Sequence, residues 1–314
     1  MYNITPIMKA IVTGGCGFIG SNLVDELISL GFSVEVIDDL SATSNEQFYY
    51  NDYAVYHKVD ILDEKKVQEI FSNFLPDVVF HLAAKARIQT TIENPLLCCD
   101  VNFKGTANIL EASRKSNVER VIFSSTSSIY GLKNECPLKE DMEKDCLNPY
   151  SVSKSGAEDL CKMYNNLYGL KTITFRYFNV YGERQPLQGE YAPVIGYFYR
   201  QKARGQAMTI VGDGLQTRDF THVSDIVQAN VLAAQTDNSW AFGEIFNVGT
   251  GVNYSVLDIC TMIGGDYEHI PERLGEARET LADIWKIKTF LNYEPKIRLE
   301  DWIKEENLKY KNYA

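Results

Sequence analysis

The sequence predicts an α/β fold in which a doubly wound parallel sheet carries a smaller C-terminal substrate-binding lobe. Three observations predict it. Buried-strand and amphipathic-helix signals alternate from Lys9 to Tyr177, a glycine-rich turn joins the first strand to the first helix, and the pattern loosens beyond Asn179. Alternation of this kind makes each helix a crossover, which sets the strands parallel and covers both faces of the sheet.

Lys9-Ala-Ile-Val-Thr13 has the short apolar run of a buried strand and leads into Gly14-Gly-Cys-Gly17-Phe-Ile-Gly20. Leu23, Leu27 and Leu30 then give residues 21–30 a helical period, which Gly31 ends. Residues 33–37 form the second expected strand and run into Asp38-Asp39; a third ends near Val59-Asp60, followed by an amphipathic helix over 63–74. The fourth strand is expected at 77–84, a helix at 96–116 and the fifth strand at 120–125. Asn148-Pro149 opens a helix that runs to Tyr168, and a sixth strand covers 171–177. Residues 1–179 are therefore expected to form the nucleotide-binding domain with the catalytic residues. Residues 180–314 supply mainly the substrate lobe, with some segments returning to the first domain. The crevice at the carboxyl ends of the strands is where such sheets bind ligands.

Composition excludes several function classes. With 314 residues, 45% hydrophobic and 23% charged, the chain has ordinary globular usage. No apolar run reaches the ~18 residues of a membrane helix, and the first residues lack the basic start and apolar stretch of a signal peptide. Seven cysteines without a C-x-x-C pair are expected to be reduced thiols in a cytoplasmic protein. Four histidines lack helical ligand spacing, so no metal is expected. The net charge of −11 argues against nucleic acid as a partner. It also leaves any anionic substrate to be held by a few placed arginines.

In the glycine turn, Gly14 permits a tight bend, Gly17 lets the backbone approach a pyrophosphate and Gly20 allows close helix packing. The helix N-terminus adds unpaired N–H groups and partial positive charge for the phosphates. Asp38, at the end of the second strand, can accept from adenosine ribose hydroxyls. Together with Asp39 it would repel a 2′-phosphate, so NAD is the expected cofactor.

The G-x-x-G-x-x-G spacing resembles the extended short-chain dehydrogenase/reductase superfamily, in its NAD-dependent epimerase/dehydratase branch, and so implies a Rossmann-type sheet. Asp60-Ile61, His81-Leu-Ala-Ala84, and Asn102 with Gly105-Thr106 extend the resemblance along nearly the whole chain. It implies that Phe18, Ile19, Asp60, Ile61, Leu82, Ala83, Ala84, Asn102, Ser124, Tyr150, Lys154 and Tyr177 join the glycine turn around the cofactor. His81 by itself reads as a satisfied core histidine.

Tyr150-Ser-Val-Ser-Lys154 places a tyrosine and a lysine on one helix face. A phenol near pKa ~10 is a poor base at neutral pH. A nearby ammonium and the positive nicotinamide ring favour the phenolate, and a shift of ~3 units needs about 4 kcal/mol. In the superfamily the hydroxyl at the position of Thr126 binds the substrate oxygen that this tyrosine deprotonates. The resemblance thus implies a Thr126, Tyr150 and Lys154 triad.

Which reaction follows depends on the next two positions. Nucleotide-sugar 4,6-dehydratases carry Asp-Glu after the threonine, because elimination needs an additional acid and base. UDP-glucuronate decarboxylases carry a Glu at the second position. This chain has Ser127-Ser128, which leaves transient oxidation and reduction at C4 by retained NAD. The second half resembles UDP-hexose 4-epimerases: Asn179, Arg218 and Arg273 match residues that hold the nucleotide diphosphate. Glu276 stands where those proteins usually have an Asp on the uridine ribose, and Thr280 where a residue gates the sugar pocket. A small residue there implies UDP-GlcNAc/UDP-GalNAc alongside UDP-Glc/UDP-Gal. A UDP-glucuronate 4-epimerase or another NAD-dependent nucleotide-sugar oxidoreductase is the alternative. The intact triad speaks against an NAD-binding sensor without chemistry. The resemblance further implies a homodimer through the 96–116 and 150–168 helices.

Overall fold

The computed structural model describes residues 7–42, 47–186, 193–271 and 277–313. Strand β1 (Lys9–Thr13) is apolar and buried at Ala10, Ile11 and Val12, as a central strand covered on both faces must be. After it come α1 (Phe18–Ser29), β2 (Ser33–Asp38), β3 (Val55–Lys58), α2 (Glu64–Phe74) and β4 (Val78–His81). The chain continues through α3 (Ile88–Glu93), α4 (Pro95–Cys99), a π-helical turn at Asp100–Gly105 and α5 (Thr106–Lys115). It then forms β5 (Arg120–Thr126), α6 (Pro149–Tyr168) and β6 (Lys171–Tyr177).

The second half contributes short strands β7 (Val180–Tyr181), β8 (Met208–Val211), β9 (Thr217–Asp219) and β10 (Thr221–His222), with helices α7 (Val194–Ala203) and α8 (Val223–Gln235). Strand β11 (Glu244–Val248) follows, and then α9 (Val256–Ile263), α10 (Trp285–Leu291) and α11 (Leu299–Tyr313). The main sheet has seven parallel strands in the order β3-β2-β1-β4-β5-β6-β11. This is the expected Rossmann-type doubly wound sheet, with its order reversing beside β1. Ligands bind above that reversal in open α/β sheets.

Alternation along each strand feeds two cores. Ala10, Val12, Val34, Val36 and Phe80 meet α1 and α8 on one face. Ile11, Ile37, Val79, Val121 and Phe123 meet α2, α5 and α6 on the other. A third cluster joins Ile195, Phe198, Met208, Ile259 and Trp302 from α7, β8, α9 and α11. Among the described residues no helix is long and apolar enough to cross a membrane. All seven cysteines are unpaired.

Several boundaries differ from the sequence reading. Helix α1 begins at Phe18, because Gly17 already serves as its N-cap. Strand β4 stops at His81: Leu82 N–H still donates to Thr13 O, at 3.2 Å. Beyond Thr13 the neighbouring strand turns away through Gly14, whose φ of +71° suits glycine alone. The 96–116 helix contains the π-helical turn, a feature hydrophobic periodicity does not reveal. Strand β11 was not recognised.

Candidate active site

Every strand from β1 to β6 ends at the rim of one cavity of about 750 Å³. Its floor begins with the glycine turn. A side chain on Gly14 would bring its Cβ to 2.8 Å from Ala83 N, and one on Gly20 would collide with the Gly14 carbonyl oxygen. At Gly17 a Cβ would meet only Gly14 O, at 3.4 Å, so this side of the turn faces open space. Gly14, Gly17, Phe18 and Ile19 line the cavity at the start of α1, where free N–H groups and the helix dipole suit a pyrophosphate.

The far end is acidic. Asp38, Asp39 and Asp60 line it with Ile61. Asp38 also builds the turn, since Oδ2 accepts from Cys16 N–H at 3.0 Å and Oδ1 from Leu40 N–H at 2.9 Å. Burial pushes the Asp38 carboxyl above its usual range, against these bonds. Acceptors of this kind match ribose hydroxyls, so the residues present fit a dinucleotide.

Leu82, Ala83 and Ala84 form the wall above β4. Behind it His81 is buried: Nδ1 lies 2.7 Å from Thr13 Oγ1 and Nε2 lies 2.9 Å from Thr106 Oγ1. Thr106 already donates to Asn102 O at 2.6 Å, so Nε2–H is the donor to it. Burial drives the His81 pKa down to about 3, consistent with a structural role.

The structure seats Asn102 behind the wall instead of on it. Its Oδ1 accepts from Lys85 N–H at 2.7 Å, and its Nδ2 reaches Lys85 O at 3.0 Å and Ser153 Oγ at 3.1 Å. The π-helical turn aims it there, so Asn102 can act on the cavity through the Lys85 backbone.

At the other end, Ser124, Thr126, Tyr150, Lys154 and Tyr177 converge. Asn148 caps α6: its side chain accepts from Ser151 N–H at 2.9 Å while Pro149 occupies the first turn. This fixes Tyr150 on the first turn and Lys154 one turn later. The Tyr150 hydroxyl is hydrogen-bonded to Thr126, yet burial pushes its pKa up to about 12. Lys154 Nζ donates to Ser124 O at 2.6 Å and sits 4.6 Å from the Phe123 ring centroid. Burial lowers its pKa to about 8.

A second cavity of about 320 Å³ adjoins the first through Asn179, Val180 and Pro193. Arg218 lines it, with Tyr197, Phe198 and Phe220 as apolar walls. Asn179 Nδ2 lies 3.1 Å from Asp219 O and 3.4 Å from Thr280 Oγ1. Thr280 thus abuts Asn179 without reaching the wall of either cavity. Arg273 and Glu276 lie outside the described residues.

Three residues escaped the sequence reading. Lys85 and Arg87 line the larger cavity, and their alternation in the segment after β4 was the available signal. Buried Asp219 accepts from Thr250 N–H, Gly251 N–H and Ala282 N–H, tying three segments beside Asn179.

The sheet order, the glycine turn with its acidic partner, and Thr126 with Tyr150 and Lys154 define a dinucleotide-dependent enzyme of the extended short-chain dehydrogenase/reductase type. The sequence profile of the NAD dependent epimerase/dehydratase family matches residues 10–249. A putative UDP-glucose 4-epimerase of Methanocaldococcus jannaschii is 38% identical over 302 residues, spanning 94% of this chain and 95% of that protein. The solved UDP-glucose 4-epimerase of Thermotoga maritima, with UDP-glucose, superposes with a TM-score of 0.91 at 35% identity, covering 98% of this chain and 99% of the other. A UDP-N-acetylglucosamine 4-epimerase from Methanobrevibacter ruminantium, in complex with UDP-N-acetylmuramic acid, gives 0.89 at 31% identity, covering 99% and 100%. The chain belongs to the NAD dependent epimerase/dehydratase family, and it is an NAD-dependent epimerase.

Proposed function

We propose that this protein is a UDP-hexose 4-epimerase that retains NAD through turnover and accepts both UDP-Glc/UDP-Gal and UDP-GlcNAc/UDP-GalNAc. One observation carries the reading. The catalytic end of the cavity holds the hydroxyls of Thr126, Ser127, Ser128 and Tyr150 with Lys154. The carboxylates among the described lining residues, Asp38, Asp39 and Asp60, stand at the far, ribose end. Dehydration needs a further acid and base beside the sugar, and the described residues of this wall offer no carboxylate there.

Oxidised NAD, when bound, supplies the hydride acceptor for C4 and a positive ring that favours the Tyr150 phenolate. Tyr150 then takes the proton of the C4 hydroxyl and later returns it. Thr126 holds that oxygen, and Lys154, anchored on Ser124 O, orients the ribose of the cofactor. Asp38 and Asp39 bind the adenosine ribose, and Asp60 with Ile61 borders the adenine. The apolar second cavity suits the nucleotide base, and Asn179, Arg218 and Arg273 suit the diphosphate. Glu276 is assigned to the uridine ribose. A second copy of the chain completes the unit as a homodimer.

Thr280 abuts Asn179 but stands back from both cavities, so its small side chain leaves the space around C2 open to an N-acetyl group, which a larger side chain at this position would enter. Wild-type protein and a Thr280→Tyr variant, each given UDP-GlcNAc and UDP-Glc, test this by NMR of the C4 configuration. Wild type converts both, and the variant loses preference for the N-acetylated sugar by at least about 10-fold. A wild type that converts UDP-Glc alone discards the Thr280 assignment.

A further inference from the structure

Behind the catalytic hydroxyls lies an ion pair that the chemistry above does not use. Glu158 stands one turn after Lys154 on α6, and Arg176 lies on β6. Each is 1% exposed. Arg176 grips the carboxylate with two donors: Nε reaches Oε1 at 2.9 Å and Nη2 reaches Oε2 at 2.8 Å. Lys144 Nζ comes only to 3.7 Å from Oε2. Taking both charges out of water is costly, and apolar side chains would fill this core without that cost. What the pair adds is directed contacts, and these lead to the catalytic end.

Thr126 is the last residue of β5, so beyond it no ladder holds the chain. The pair braces it from both sides. Val121 and Phe123 pack toward α6, and alternation turns Ser125 the same way. The Ser125 hydroxyl donates to Glu158 Oε1 at 2.7 Å, and Ser125 is in register with Arg176 across the ladder. After Thr126 the chain turns through Ser127–Tyr130, and the Arg176 guanidinium lies over the Tyr130 ring, 4.7 Å from its centroid. The Tyr130 hydroxyl donates in turn to Asn247 Oδ1 at 2.6 Å. On the α6 side, Lys154 Nζ holds Ser124 O. Neither Glu158 nor Arg176 lines the cavity, so both act through these neighbours.

We infer that the buried Glu158–Arg176 pair positions the reacting groups: through Ser125 and Tyr130 it sets the Thr126 hydroxyl against Tyr150 on α6. Glu158 and Arg176 are thereby positioning residues. The inference rests on the 4-epimerase reading with its Thr126, Tyr150 and Lys154 triad.

The test uses the full chain as wild type, as Ser125→Ala, and as the double variant Glu158→Met, Arg176→Met. Removing one partner strands a buried charge, whereas replacing both leaves an apolar core compatible with folding. Ser125→Ala cuts one tether and leaves the pair intact, so its result stands whether or not the double variant folds. Melting temperature and bound NAD verify each fold. Conversion of UDP-Glc is followed by NMR across pH, with kcat expressed per bound NAD. Ser125→Ala lowers kcat on the order of 10-fold and the double variant on the order of 100-fold, with KM within about 2-fold of wild type. Burial and Cys98 from α4 raise the Tyr150 pKa, and the Thr126 hydrogen bond lowers it. Loosening Thr126 therefore moves the acid limb of kcat to higher pH in both variants. A folded Ser125→Ala protein with wild-type kcat and an unmoved acid limb overturns the inference, assigning the pair to stability alone and leaving the 4-epimerase standing. A wild type inactive toward UDP-Glc and UDP-GlcNAc alike removes both.

Discussion

Tyr150 and Lys154 share a helix face, and yet the lysine spends its short bond on Ser124 O. The protein alone holds the phenol up at about 12 by burial, so charge from outside the chain is needed to make it a base. Phenylalanine keeps the ring and removes the proton carrier. Tyr150→Phe is expected to lower kcat by roughly 10²- to 10⁴-fold with little change in KM, measured by steady-state conversion of UDP-GlcNAc. An unchanged kcat would take Tyr150 out of the chemistry. At this scale the sequence was most legible where function sits in a local motif: the glycine turn, Asp38, and the Y-x-x-x-K pair all face the cavity. It was least legible where a residue acts through a fold-dependent neighbour. Asn102 turns away because a π-helical turn redirects it, and Arg87 gains meaning only from the cavity it enters.

Helices show the same division. Asn148-Pro149 announced α6 in the sequence, and its capping box bears that out. Strand β11 escaped because Glu-Ile-Phe-Asn-Val is short and sits in a stretch without alternating neighbours. Only pairing with β6 makes it a sheet strand. Helices α4, α5 and α6 pack together and leave apolar side chains outside: Leu96 is 81% exposed and Leu167 66%, with Leu97, Phe103 and Tyr168 also exposed. Exposed apolar groups on adjoining helices suit a second copy of the same face. Sedimentation is expected to give a dimer for wild type and a monomer for the double variant Leu96→Glu, Leu167→Glu. A wild type that sediments as a monomer at micromolar concentration would contradict the homodimer.

Across the whole molecule, the parallel sheet gathers six strand ends at one rim, and the second half adds a second cavity beside Asn179. The doubly wound class was legible because alternation and the glycine turn are local signals that constrain topology. The joining of the two cavities was not, since Asn179, Val180 and Pro193 border both only once the chain beyond β6 folds back over the strand ends. The central claim is that oxidation and reduction at C4 occur within one complex, with no cofactor exchanged. Its most direct test is purified protein in D₂O with UDP-GlcNAc and no added cofactor, read by NMR. The account predicts UDP-GalNAc that keeps protium at C4, because the hydrogen removed is the one returned. Deuterium at C4, or no conversion even after NAD⁺ is supplied, would contradict it.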